Sequence, residues 1–409
     1  MDSTFYKNRN LIGISCALFA FLLFFCSCQS KISNEFAEKA IREVKAKYAP
    51  DKRVALFQIE ALPAKSVLVL KGETNLPEAK TELLKRVREQ EVSVVDSIEI
   101  LPAKSLGDKR FGIVRLSACN IRSQPKHSGE LATQATLGTP LRVYKKENGW
   151  FLVQTPDDYI AWLDAGGFEQ MTKAAFDDWM AKEKVVYLKE FGFSFSEPNS
   201  KSDKVSDLLA GNILQFAGTE SSFARVRYPD GRLGYIPASE VMNYDLWLAS
   251  RKPTPDHILA TARQFMGRPY LWGGTSGKAV DCSGFTKTVF FLNGLLLARD
   301  ASQQVQQGIE APTDTTLKNL QPGDLLFFGR KASADKKEKI THVALYLGDG
   351  KVIHATGTVK IESLRRGDSD FNEHRLKSFV RARRMLTSLG KNGVQLLRES
   401  KFYKIPKKG

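Results

Sequence analysis

Disulfide chemistry is nearly absent from this chain. Of its five cysteines, Cys16, Cys26 and Cys28 sit close to the N-terminus, and only Cys119 and Cys282 remain beyond them. That excludes a fold stapled by a ladder of disulfides. Histidine is scarce as well, five in all, with no close-spaced set of metal-ligand type, so neither a metal nor another cofactor is expected. Long apolar runs are missing: Leu11–Phe25 is uncharged, but at about 15 residues it falls short of the roughly 18–20 a membrane helix needs. Acidic residues are outnumbered, 45 against 61 Lys plus Arg, for a net charge of +16. Such a balance favours anionic surroundings without choosing between nucleic acid, phospholipid headgroups and acidic wall polymers. The rest is ordinary globular composition, 42% hydrophobic, 10% aromatic and 26% charged, which excludes a largely disordered or collagen-like chain. At 409 residues the chain is too long for one core, and roughly 100–200 residues per domain implies about three.

The N-terminus narrows the choice of partner. Lys7 and Arg9 precede the apolar run, which suits the core of a secretory signal and ends in Cys26-Ser27-Cys28. This resembles a bacterial lipoprotein signal (1–27), with Cys28 as the lipidated first mature residue and a membrane anchor as the consequence. The protein is therefore expected in the cell envelope, periplasmic and membrane-anchored, where nucleic acid is no partner.

Residues 28–106 read as a small α+β unit, with strands at Val54–Ile59, Ser66–Leu70 and Val92–Leu101 and an amphipathic helix from Pro77 to Glu89. No catalytic cluster appears there, and its expected role is structural. From 107 to 184 the texture changes to short β runs broken by turns every 8–12 residues, the mark of a small barrel, followed by a helix near Thr172–Lys184. A second β-rich stretch, 185–251, echoes the first through Phe216-Ala217-Gly218, Ala224-Arg225-Val226 and Gly234-Tyr235-Ile236-Pro237. Lys252-Pro253-Thr254-Pro255 is a stiff link to the last domain, 252–386, and a basic tail, 387–409, closes the chain.

The last domain carries the chemistry. Gly-rich chain around Trp272-Gly273-Gly274 leads to Asp281-Cys282-Ser283-Gly284-Phe285 and a helix whose Phe285, Val289, Phe290 and Leu292 face inward. Asp281 suits the N-cap, which puts Cys282 in the first turn, where free N–H groups and the macrodipole favour a thiolate. Thr341–Leu347 and Lys351–Ala355 flank Gly348-Asp349-Gly350, a hairpin signal. Period two sets Val343, Leu345 and Leu347 on one face and turns His342 and His354 together to the other. His342 can then serve as base to the Cys282 thiol, with His354 as the residue that orients it. The bland readings are a buried structural cysteine and satisfied histidines; the joint arrangement argues against them. A zinc site lacks a close-spaced ligand pair. His127, His257 and His374 have no such context and read as surface residues.

The segments Pro269-Tyr270-Leu271-Trp272-Gly273-Gly274, Asp281–Phe285, Arg299–Gln304, Pro322–Phe328 and His342–Ala355 together resemble the NlpC-type, papain-like cell-wall cysteine peptidases. Upstream, Asn120-Ile121-Arg122, Gly149-Trp150-Phe151-Leu152-Val153 and Tyr159-Ile160-Ala161-Trp162 resemble a bacterial SH3-like domain. The combination is similar to the subgroup that cleaves γ-D-glutamyl–diamino acid bonds in murein peptides with a free N-terminal L-Ala. The fold class implied is α+β multidomain: two small SH3-like β-barrels plus a papain-like α+β catalytic domain.

The resemblance assigns Cys282 as nucleophile, His342 as base and His354 as third residue. It sets Tyr270 near the oxyanion, Asp281 and Ser283 at the substrate's N-terminal end, and Ser302 along the same pocket. Tyr159 and Glu130, from the first SH3-like domain, would close that pocket. A carboxylate at Asp281 facing the substrate ammonium would penalise any peptide lacking the free amine. The expectation is a monomeric endopeptidase acting on released murein fragments. Two other readings remain open here, a catalytically inactive SH3-type wall-binding lipoprotein and a thiol acyltransferase or amidase.

Overall fold

The computed structural model describes residues 34–64, 67–312 and 317–403. The signal segment with Cys28, Ser66 and the tail beyond 403 lie outside the described residues. Among those described, no helix is long and apolar enough to cross a membrane.

The N-terminal unit packs helices Glu35–Tyr48 and Pro77–Arg88 on a three-stranded sheet. Phe57–Ala64 pairs antiparallel with Val67–Thr74, and Val94–Ile100 joins parallel because the second helix crosses over to return the chain. Pro77 opens that helix, where its missing N–H costs nothing, and Ala79, Leu83 and Val87 are buried at helical spacing. Helix Glu35–Tyr48 is not anticipated by the sequence reading. Its Ala37, Ala40 and Val44 supply a narrow buried stripe.

Next come two seven-stranded antiparallel sheets. In chain order the first comprises Phe111–Val114, Ala118–Arg122, Leu131–Thr136, Pro140–Glu147, Trp150–Gln154, Ile160–Asp164 and Phe168–Met171. The second runs from Lys184–Tyr187 to Val241–Asn243. Counting each unit's strands from its own start, both sheets have the spatial order 7-1-4-5-6-2-3. The repeat that is faint in side chains is thus plain in topology, because a fold of this kind needs only inward apolar alternates and turns, not particular residues. Ile213 N–H donates to the Leu137 carbonyl at 3.0 Å and ties the two units together.

The last domain sets helices Pro255–Arg263 and Cys282–Leu292 against one face of a six-stranded antiparallel sheet. Its strand order is Ile309–Ala311, Phe379–Arg384, Leu325–Arg330, Lys339–Gly348, Lys351–Thr356, Thr358–Ser363. Phe285, Val289 and Phe290 are fully buried with Val343, Leu345 and Ile353. Each such side chain contributes about 1.5–3 kcal/mol through its buried area. The sequence pattern sets Val343 and Leu345 on one face of the hairpin and the two histidines on the other. Both are covered: Ala344, Tyr346 and Val352 lie in a second core with Leu326, Phe328 and Leu364. The two histidines are therefore inside the protein, with His342 at 9% exposure and His354 at 0%.

Candidate active site

Local sequence builds the nucleophile helix. Asp281 is its N-cap, with Oδ1 accepting from the Gly284 N–H at 2.7 Å. Gly284 lets the first turn lie on backbone, since a Cβ there would collide with the Gly274 carbonyl. Gly273 has φ +79°, and a Cβ on it would strike the Leu131 carbonyl of the first SH3-like unit. The glycine pair thus serves close approach on both sides, and Cys282 begins the helix at 8% exposure.

The hairpin carrying the histidines is splayed at its open end. Its strands pair at Leu345–Ile353, Tyr346–Val352 and Gly348–Lys351, and no further toward His342. The Val343 amide, spared by that ladder, is near enough to the Cys282 sulfur to favour its thiolate. The sulfur therefore sits beside the strand at the residue next to His342. Cys119 lies in the core of the first SH3-like sheet, and both cysteines are free.

Behind the sulfur runs a chain of polar groups. His342 Nε2 is 2.7 Å from His354 Nδ1, and His354 Nε2 is 3.0 Å from Glu362 Oε2. That second contact is too oblique for a well-formed hydrogen bond, and His354 Nε2 has no other partner among the described residues. A lone pair there would face a carboxylate, so the proton belongs on Nε2. Nδ1 of His354 then accepts, Nε2 of His342 donates, and Nδ1 of His342 keeps its lone pair free. Glu362 is held by Lys360 at 2.6 Å and by Asn372 Nδ2 at 2.8 Å. The His354 contact, with Lys360 and Asn372, keeps its carboxyl well below the usual range.

The ionisation of the pair differs from the sequence expectation of a thiolate. Burial, followed by the neighbouring Asp281 carboxylate, pushes the Cys282 thiol up to about 11. Burial, then the charges of Arg375 and a protonated His354, push His342 down to about 2. Both effects favour the uncharged partners, because a low-dielectric site disfavours each ion. At rest the pair is thiol and neutral imidazole, and the helix dipole does not reverse that.

One cleft of about 1130 Å³ gathers the remaining sequence-predicted residues: Tyr270, Asp281, Cys282, Ser283, Ser302, Tyr159 and Glu130 all line it. His342 and His354 lie behind its wall, while Thr341 lines it. Tyr159 is buried at 8%, whereas Glu130 and Ser302 are exposed. Tyr270 is pushed up to about 12 by burial and the adjacent Cys282 and Asp281, so its hydroxyl stays protonated. His127, His257 and His374 are exposed, and none of them lines this cleft.

Two lining residues correct the sequence reading. Asp281 is not an open counter-charge. Its carboxylate takes a two-point contact from the buried Arg299, at 2.6 and 3.1 Å, and a third bond from the Gly273 N–H at 2.9 Å. Arg299 also reaches Thr133 of the first SH3-like unit at 3.0 Å. The exposed carboxylate in the cleft is Glu130, which accepts from the Trp272 indole at 2.7 Å. The N-terminal unit also enters the site: Arg53 Nη1 donates to Asp300 Oδ2 at 2.7 Å and to Ser302 Oγ at 3.0 Å. Its carbonyl accepts from the Ile160 N–H beside Tyr159. Arg53, Arg299 and Glu362 carried no local signal; Arg299 stood inside a quoted motif, and Glu362 would have needed the strand register.

Among the described residues no group of three His, Cys, Asp or Glu could hold a metal ion. Cleft, buried thiol and relay suit acyl transfer through sulfur.

Comparison with known proteins agrees. Residues 267–380 match the NlpC/P60 family, and 121–167 match the bacterial dipeptidyl-peptidase Sh3 domain. Gamma-D-glutamyl-L-lysine dipeptidyl-peptidase of Bacillus subtilis (strain 168) is 30% identical over 238 residues, which cover 56% of this chain and 74% of that protein. Its namesake from Bacillus cereus (strain ATCC 10987) is 28% identical over 243 residues, 56% of this chain and 68% of that one. The crystal structure of an NlpC/P60 family protein from Bacillus cereus ATCC 10987 superposes with TM-score 0.57 at 24% identity, covering 68% of this chain and 99% of that one. The α+β multidomain class with SH3-like and papain-like parts stands, and the chain belongs to the NlpC/P60 family of cysteine peptidases, whose work is on the cell wall.

Proposed function

We propose that the protein hydrolyses the bond between γ-D-glutamate and a diamino acid in murein peptides that begin with a free L-Ala. The observation that carries this is the cleft itself, lined together by Glu130, Leu131, Ala132 and Tyr159 of the SH3-like unit and by Cys282. It presents an exposed carboxylate, Glu130, where an N-terminal ammonium would arrive. The similar Bacillus enzymes bear names of the same activity.

Chemistry begins with the γ-carbonyl against Cys282. As sulfur attacks, the thiol proton passes to the free nitrogen of His342, and the first-turn N–H groups with Tyr270 receive the developing oxyanion. The C–N bond breaks, the imidazolium gives its proton to the departing α-amine, and a thioester remains. Water, deprotonated by the same imidazole, cleaves the thioester and restores the thiol. His354 holds the ring, and Ser283 and Ser302 bond the dipeptide. Glu130 and Tyr159 meet the ammonium, with Asp281 and its partner Arg299 forming the floor. A wall of SH3-like domain beside the cleft would exclude a glycan-linked peptide, which makes released fragments the substrate in this reading. An envelope location with a lipid anchor at Cys28 and a monomeric state belong to the same proposal.

The test is a product assay. L-Ala-γ-D-Glu-diaminopimelate should release L-Ala-D-Glu, Cys282→Ala should abolish release, and N-acetylation of the L-Ala should sharply reduce it. Equal rates on free and acetylated peptides refute the amine-reading role, and unchanged turnover in Cys282→Ala refutes the mechanism.

A further inference from the structure

A helix packed on a sheet turns its charged residues to solvent, and Cys282–Leu292 has a single one, Lys287. Solvent is not what it meets: its side chain is 15% exposed and faces Asp157 of the first SH3-like unit. Asp157 comes from the turn between Trp150–Gln154 and Ile160–Asp164, and its side chain is 1% exposed. The two line a cavity of about 590 Å³ where both SH3-like units, the last domain and Tyr403 of the C-terminal segment meet. This cavity shares no lining residue with the catalytic cleft.

Their pairing is incomplete. Lys287 Nζ lies 3.0 Å from Asp157 Oδ2, yet too obliquely for a hydrogen bond, and that oxygen is buried with no hydrogen-bond partner among the described residues. The other oxygen, Oδ1, accepts from the Thr155 hydroxyl at 2.7 Å, which fixes the carboxylate in place. The Lys287 ammonium carries three N–H donors, and its one contact among the described residues is the oblique one to Asp157. A buried ion pair recovers its desolvation only where further hydrogen bonds satisfy the remaining lone pairs and protons. Here an acceptor and several donors are left over side by side on the wall of one cavity.

We infer that this cavity is a second ligand site, separate from the catalytic cleft, for a small free α-amino acid. The ligand's ammonium donates to Asp157 Oδ2, and its carboxylate accepts from the Lys287 ammonium, so both leftover capacities are met by charge-assisted bonds. A lone cation would meet the like charge of Lys287 and a lone anion that of Asp157, whereas a zwitterion offers each its opposite. Phe291 and Leu296 line the same cavity and suit a side chain no larger than a methyl group. A molecule bound there bridges the SH3-like turn to the nucleophile helix without touching Cys282.

The experiment titrates the full mature chain calorimetrically with glycine and alanine, and with methylammonium and acetate as singly charged probes. The amino acids should bind one to one with a Kd of roughly 10 μM to 1 mM, within reach of five or six heavy atoms. Each singly charged probe should bind at least about tenfold more weakly, the worth of one charge-assisted bond. Asp157→Asn and Lys287→Gln should each weaken glycine binding by about tenfold or more, while Glu130→Gln, which alters the catalytic cleft, should leave it unchanged. Hydrogen exchange on the unaltered protein needs no variant to fold: glycine should protect the turn at 155–158 and not the cleft segment at 130–132. No binding of either amino acid means that the cavity holds water alone and overturns the inference. Methylammonium or acetate binding as tightly as glycine overturns it as well. So does glycine binding that survives Asp157→Asn, or protection confined to the cleft, since either places the ligand elsewhere.

Discussion

Reactivity of Cys282 toward an alkylating agent, followed against pH, tests the ionisation that burial imposes. A thiol pushed up to about 11 is ionised to only about 3 parts in 10,000 at pH 7.5, against about 9% for an unperturbed cysteine near 8.5. Since only the thiolate reacts, iodoacetamide should label Cys282 about 300-fold more slowly than free cysteine at that pH. The rate should rise about tenfold per pH unit from 7 to 10. Peptide mapping by mass spectrometry separates this from Cys119, itself buried and pushed up to about 12. His342, pushed down to about 2, remains neutral and able to accept a proton at every working pH. Hydrolysis should therefore show no acid limb in kcat/KM near 6.5, where an unperturbed histidine would place one. A labelling rate already flat from pH 5 upward would mean a preformed thiolate–imidazolium pair. That result, or an acid limb near 6.5, would refute the reasoning.

Other expectations follow from named contacts. Glu362→Gln removes the charge that fixes the His354 proton, so kcat should fall roughly 10- to 100-fold while KM stays within about twofold; full activity in steady-state assays would dismiss the relay. Arg53→Ala frees Ser302 and Asp300 without touching the reacting atoms, and should raise KM roughly 3- to 10-fold with kcat nearly unchanged; a pure kcat loss would contradict this. Arg299→Met strands the Asp281 carboxylate in the interior, a loss of about 3–5 kcal/mol, which urea unfolding should register as a midpoint lower by roughly 1–2 M. An unshifted midpoint would show that water replaces the guanidinium. Gly273→Ala should push the catalytic loop off Leu131 and expose sites to limited proteolysis between the first SH3-like unit and the last domain; a digestion pattern like that of the parent would argue against the close contact.

Legibility of the site followed sequence distance. Asp281-Cys282-Ser283-Gly284 is a contiguous cap and first turn, so its geometry is written in four residues. His342 and His354 are twelve positions apart on one hairpin, and the turn signal between them was enough to turn both the same way. Glu362 sits one strand further on, where its alignment with His354 depends on the pairing of Lys351–Thr356 with Thr358–Ser363. Arg53 lies 249 positions from Ser302, and nothing in the composition of residues 28–106 suggests that this unit reaches the cleft.

What the amino-acid order determined alone was chemistry confined to short segments: the capped nucleophile, the paired imidazoles, the inward stripe of the helix and the β character of the middle of the chain. Period, capping and turn preferences act over a few residues and need no partner. Only the tertiary structure decided that Asp281 is neutralised by Arg299, that Glu130 is the open carboxylate and that Arg53 belongs to the cleft. It also decided the protonation of Cys282 and His342, because a pKa depends on how much water and which charges surround a group. Those are set by domains packing against one another, not by the residues on either side in the chain.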